Sequence, residues 1–148
     1  MTRLSITLGR LTLKNPVICG AGEQTMTADA IRAALATGAG AVVAKSTNES
    51  AAAKAQLDKT DYVLLDAQWK PLPWDFDPPP DASLFGRSGL VQRAFGDWLG
   101  ELVELDRHAR TLDAYVIPSL ILSDLEQCAE YARQIEEAGL RVLELNIG

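Results

Sequence analysis

The chain has 148 residues, 47% hydrophobic and 23% charged, enough apolar material for one ordinary globular core and the wrong composition for disorder. A formal net charge of −6 with only 14 Lys and Arg leaves no basic stripe, which argues against nucleic acid and anionic membrane surfaces as partners. Two cysteines without metal-type spacing, Cys19 and Cys128, and a single histidine, His108, argue against a zinc site and read as free thiols with no metal.

From the N-terminus, Met1-Thr2-Arg3 leads within a few residues to Gly9-Arg10 rather than into a signal-peptide apolar stretch, so the expected compartment is the cytoplasm and no membrane segment is predicted. Leu4 to Leu8 alternates apolar and polar, and Leu11-Thr12-Leu13 does so again after Gly9-Arg10, which is a β-hairpin pattern. Pro16-Val17-Ile18-Cys19 is a short apolar run closed by Gly20-Ala21-Gly22, as for a strand buried on both faces. A helix follows with Thr27 as N-cap, Ile31 and Leu35 on one face and Gly38 as the stop. Ala41 to Ala44 is a second buried strand that delivers Lys45 and Ser46 at its C-terminal end.

The stretch from Thr47 to Gly89 breaks this rhythm. Ala51 to Leu57 suits a helical turn or two, Tyr62 to Leu65 is strand-like, and Pro71 to Pro80 holds five of the seven prolines. It reads as a long insertion or loop with a small hairpin, and Trp69 and Trp74 in it either close over a ligand or pack within the loop. From about Leu90 to Arg110, the three- and four-residue recurrence of Val91, Phe95, Trp98, Leu102, Leu105 and Ala109 predicts an amphipathic helix. His108 lies toward its C-terminal turn and reads as structural. A third strand covers Ala114 to Leu120 with Pro118 near its end. The next helix carries Ser123 and Glu126 as a capping box, Leu125, Cys128, Ala132 and Ile135 on its apolar face, and Gly139 as its stop. Val142 to Asn146 is a fourth strand.

Apolar strands alternating with helices imply a parallel sheet covered by helices, either doubly wound or closed as a barrel. Gly20-Ala21-Gly22 carries only the first two glycines of a dinucleotide-binding fingerprint, so the barrel is preferred: an α/β chain forming part of a (β/α)8 barrel, with the hairpin, four strands and three helices. In a barrel, functional groups gather at the C-terminal strand ends. The small residues Gly20, Ala21 and Gly22 let a backbone approach a flat ligand, or simply make a tight turn. Lys45 and Ser46 put a cation and a hydroxyl on the rim, unless the lysine is merely solvated. Glu144 and Asn146 share one strand face directed inward, where they need partners, whether each other or a ligand. Cys19, in an apolar strand, reads as core rather than nucleophile.

Leu13-Lys14-Asn15-Pro16-Val17, Gly20-Ala21-Gly22, Val43-Ala44-Lys45-Ser46 and Glu144-Leu145-Asn146-Ile147-Gly148 together resemble the N-terminal half of dihydroorotate dehydrogenases, especially the soluble class and its dihydropyrimidine dehydrogenase relatives. The resemblance covers the chain except 47–89. It implies a (β/α)8 barrel with FMN over the C-terminal rim and hydride transfer between a dihydropyrimidine ring and the flavin, within pyrimidine metabolism. It further implies that Gly20, Ala21, Gly22, Lys45, Ser46 and Asn146 contact the flavin, with Lys45 and Asn146 also reaching a small-molecule substrate. The family's substrate loop, Asn-Ser-Met-Gly-Leu-Pro-Asn, is matched by Gly86-Arg87-Ser88-Gly89-Leu90-Val91-Gln92, which keeps only Gly89-Leu90. The family's pyrimidine-clamping asparagine is thus replaced, which puts dihydroorotate as the substrate in question, and Arg87 becomes a candidate contact for another anionic group. The catalytic base and the phosphate site of the family would fall after Gly148, so the expected partner is a C-terminal half-barrel or a second copy. Two other readings are a half-barrel acting only as an assembly module and a barrel lyase or aldolase in which Lys45 forms a Schiff base.

Overall fold

The computed structural model describes residues 4–74, 77–121 and 124–147. Among these residues it is a mixed α/β structure with four α-helices and several small sheets, and the strands close no barrel. The N-terminal hairpin pairs β1 (Ile6–Leu8) with β2 (Leu11–Leu13) in antiparallel register. Gly9 makes its turn at φ +60°, a conformation that costs glycine little. Asn15 then stitches the hairpin to the turn before the second parallel strand. Its side-chain amide donates to Gly38 O at 2.8 Å, and its oxygen accepts from Gly40 N and Val17 N, each at 3.1 Å.

Two parallel sheets position the rest. One has the order β3 (Ile18–Cys19), β4 (Ala41–Val43), β8 (Tyr115–Ile117), and the other pairs β9 (Ser119–Ile121) with β10 (Glu144–Asn146). The third predicted strand is thus divided at Pro118, which stands between β8 and β9 rather than near the strand's end. Proline has no N–H to give a ladder, and here its carbonyl instead accepts from Glu144 N at 2.9 Å. The chain after β4 nevertheless keeps company with β9: Thr47 N donates to Ser119 O and Ile121 N donates to Thr47 O, both at 3.0 Å.

The register across that join carries a consequence for the site. Val43 lies opposite Ile117 and Thr47 opposite Leu120, so residues 44–46 face only 118 and 119. The additional residue is a bulge, which interrupts the strict alternation of side chains. Neighbouring Lys45 and Ser46 can therefore both reach one cleft.

Helices α1 (Ala28–Ala36), α3 (Phe95–Thr111) and α4 (Leu125–Glu137) cover the parallel strands. Their inward residues, Ile31 and Leu35, then Trp98, Leu102, Leu105 and Ala109, then Cys128 and Ile135, form one core with Val42, Val116 and Leu120. Thr27 caps α1 by accepting from Ala30 N, as predicted, and Gly38 ends it at φ +93°. Several expectations need correction. The third helix begins at Phe95 rather than near Leu90, because Leu90 and Val91 reach the core in extended backbone hydrogen-bonded to Leu57 and Ser46. On α4 the cap is Asp124, whose side chain accepts from Gln127 N at 3.0 Å; Ser123 lies outside the described residues. Leu125 is exposed, not part of the apolar face. Strand β3 is an edge with Val17 and Ile18 exposed, so it is not buried on both faces.

The stretch 47–89 is more ordered than a loop with a small hairpin. Helix α2 (Ala51–Gln56) is followed by a three-stranded antiparallel sheet with β5 (Asp61–Leu65) between β6 (Pro71–Leu72) and β7 (Ser83–Arg87). Pro71 sits on an edge strand, where a missing donor is harmless. Trp69 and Trp74 are both exposed, neither packed within the segment nor closing over a cleft.

Candidate functional site

Four residues singled out in the sequence meet in one cleft of about 310 Å³: Ala21 after β3, Lys45 and Ser46 after β4, and Asn146 at the end of β10. They come from three different strands. Leu57, Leu90 and Ile121 supply apolar wall, and Ser88 and Gly89 complete it. Gly20 and Gly22 flank Ala21 without lining the cleft. A Cβ on Gly20, which is exposed, would meet nothing within 4 Å, so the chain's own packing does not demand glycine there.

Backbone geometry holds this rim together. After Gly22 the chain forms a single 3-10 turn, Glu23–Thr25, in which the Thr25 hydroxyl accepts from Gly22 N at 3.1 Å. Lys45 N donates to Thr25 O at 3.0 Å, which fixes the turn beside β4. The arrangement brings Glu23 next to Lys45, a partner the sequence reading missed.

Lys45 is buried to 6% exposure, and its ammonium is answered inside the chain. Nζ donates to Ser88 Oγ, Ser88 Oγ donates to Glu23 Oε1 at 2.5 Å, and Nζ stands 3.5 Å from the same oxygen. Thr60 Oγ1 adds a donor to Glu23 at 3.2 Å. The Ser88 hydrogen bond, with smaller help from its own backbone N–H, the Lys45 charge and Thr60, outweighs burial and lowers the Glu23 carboxyl to about 2. Glu23 belongs to no recognisable motif, and Ser88, though it lies in the stretch matched to the family's substrate loop, was not singled out there; their approach, from the turn after β3 and from just after β7, reveals them.

On the other wall a hydroxyl chain runs inward. Ser46 Oγ is 2.8 Å from Ser119 Oγ, and Ser119 Oγ donates to Glu144 Oε1 at 2.7 Å. Glu144 thus finds its partner in Ser119 rather than in Asn146. Ser119 is 2% exposed, and it too was missed by the sequence reading because a lone serine after Pro118 carries no signal.

Arg87 stands apart from the cleft lining. It ends β7 and donates to Asp61 Oδ2 at 2.5 Å across the antiparallel pair. Gly86, where the family pattern has asparagine, faces Tyr62, and a Cβ there would lie 3.0 Å from the tyrosine ring. His108 is exposed in the last turn of α3, and the described residues hold no cluster suited to a metal ion. Cys19 and Cys128 are free thiols. No described helix is long and apolar enough to cross a membrane. The chain matches no protein-family model and no curated protein.

Proposed function

We propose that this chain is the N-terminal part of an FMN-dependent oxidoreductase resembling dihydroorotate dehydrogenase, acting on a C–C bond of a dihydropyrimidine-like ring. On this reading the strands β3, β4, β8 with β9, and β10 are the first part of a (β/α)8 barrel, and the three-stranded segment is an insertion on its rim. The observation that carries it is the meeting of Ala21, Lys45, Ser46 and Asn146, from separate strand ends, in one cleft.

The residues present suit a flavin ring. Ala21 and Gly89 keep the approach low, Leu57, Leu90 and Ile121 offer apolar contact, and the Lys45 ammonium, the Ser46 hydroxyl and the Asn146 amide provide polar groups for a ring edge. Bound FMN would supply the two-electron chemistry, while the protein's share is orientation and local charge. Ser88 and Glu23 hold the Lys45 side chain in one place, and Ser119 and Glu144 do the same for Ser46. Arg87 retains a role toward an anionic group only if it releases Asp61.

The assembly reading also has support, because Val17 and Ile18 beside β3 and Leu145 and Ile147 beside β10 are exposed apolar residues at the two flanks of the parallel strands. A second half-barrel or second copy would cover them, with or without flavin chemistry. The Schiff-base reading is weaker: Lys45 is engaged as an ammonium donor, whereas imine formation needs its lone pair. Titration with FMN, followed by absorbance and by quenching of flavin fluorescence, tests the leading reading. Saturable binding that weakens at least about tenfold in Asn146→Ala supports it, a loss of the size expected for one polar contact to a buried ring. Absence of saturable binding sinks it.

A further inference from the structure

We propose that Glu23, acting through Ser88, is a positioning residue that holds the Lys45 ammonium at the rim and cancels its charge, so that a bound flavin meets a compensated cation rather than a bare one. This deepens the flavin-binding reading above and rests on it. Lys45 is the charged member of the cleft lining, and Glu23 is not part of that lining. The carboxylate touches the lysine and not the cleft.

Two separate ties fix the pair. On the backbone, Lys45 N donates to Thr25 O at 3.0 Å, which sets the place of the turn that carries Glu23. Between side chains, Lys45 Nζ donates to Ser88 Oγ, Ser88 Oγ donates to Glu23 Oε1 at 2.5 Å, and the ammonium lies 3.5 Å from that oxygen. The lysine side chain is 8% exposed and the glutamate 34%, so the cation is the buried member and depends more on its partner. Thr60 Oγ1 donates to the same carboxylate at 3.2 Å, and the Glu23 charge, after burial, raises the Tyr62 phenol. With its carboxyl lowered to about 2, Glu23 is charged at any pH well above that value. Ser88 stands where the family loop has methionine, which has no proton to give a carboxylate. The relay is therefore a feature of this chain rather than of the family pattern.

Uptake of two electrons and one proton leaves reduced FMN with one negative charge more than oxidised FMN. A bare ammonium beside the ring would favour the reduced form, and one already paired with a carboxylate favours it less.

Two measurements on the full chain test this. In the first, the FMN-loaded protein is titrated with dithionite against a dye of known potential. Glu23→Gln keeps an oxygen to accept from Ser88 and Thr60 and removes only the charge. It is expected to raise the flavin potential by about 30 mV, a tenfold gain in affinity for reduced over oxidised FMN. Asp29→Asn removes a charge from an exposed position on α1 and is expected to leave the potential unchanged. The second measurement needs no flavin: acylation of Lys45 by acetic anhydride, resolved by peptide mass spectrometry and referred to the exposed Lys70. It is expected to quicken at least about threefold in Glu23→Gln and in Ser88→Ala, because an amine acylates only after giving up its proton and the pair holds that proton in place. An unchanged potential in Glu23→Gln, an equal shift in Asp29→Asn, or Lys45 labelling indifferent to both substitutions overturns the proposal. Labelling that responds as stated in a protein that fails to bind FMN supports the charge cancellation at Lys45 and removes only the flavin.

Discussion

Glu23 makes the clearest difference at the scale of single residues. Its carboxyl falls from 4.5 to about 2 in the folded protein, so the folded state binds fewer protons than the unfolded one between those values. The stability this adds is complete above pH 4.5 and is lost as the pH falls toward 2. Because the side chain is a third exposed, solvent screening reduces the contribution to about 1–2 kcal/mol. Urea denaturation at a series of pH values is expected to show wild type losing that increment over this window while Glu23→Gln does not; parallel curves would contradict it. Asp106 carries a different prediction, from its ion pairs: it is 2% exposed and held by Arg110 and Arg141 at 2.8 Å each. Asp106→Ala leaves both guanidinium groups without their carboxylate and is expected to cost about 2–4 kcal/mol in the same measurement. That Lys45, Ser46 and Asn146 would come together was legible in the sequence, because the C-terminal ends of parallel strands lie side by side. Glu23, Ser88 and Ser119 were not, because their roles arise from contacts between segments far apart in the chain.

Among the elements, those with local signals were legible and those set by long-range pairing were not. Thr27, Gly38 and Gly139 mark helix ends by chemistry that a sequence displays directly. The extended backbone of Leu90 and Val91, by contrast, is set by hydrogen bonds to Leu57 and Ser46, and their apolar spacing mimics one more helical turn. Strand β7 escaped notice because its burial does not alternate: Leu84 and Phe85 are both exposed, and its pairing with β5 is what orders it. The cap on α4 yields a direct test. Asp124→Ala removes the acceptor for Gln127 N and is expected to lower stability by about 1 kcal/mol, read from the thermal or urea midpoint. Gly139→Ala, at φ +82°, is expected to cost about 1 kcal/mol through a backbone conformation that alanine resists.

For the whole molecule, the alternation of strands and helices correctly indicated a mixed α/β structure, and the prolines of 71–80 concealed a small sheet. What alternation does not convey is the state of the flanks. Prepared by itself, the chain carries exposed Val17, Ile18, Leu145 and Ile147 beside β3 and β10, and it is expected to sediment as more than a monomer. Leu145→Lys should shift it toward monomer, and a strictly monomeric wild-type chain at every concentration would contradict that. The central claim is that the cleft of Ala21, Lys45, Ser46 and Asn146 holds a flavin. Its most direct test is equilibrium titration of the protein with FMN, read by fluorescence quenching in wild type and in Ser46→Ala and Asn146→Ala. Saturable one-to-one binding, weakened in both variants while folding is kept, is the predicted result; no saturation in wild type, or binding indifferent to both substitutions, would contradict it.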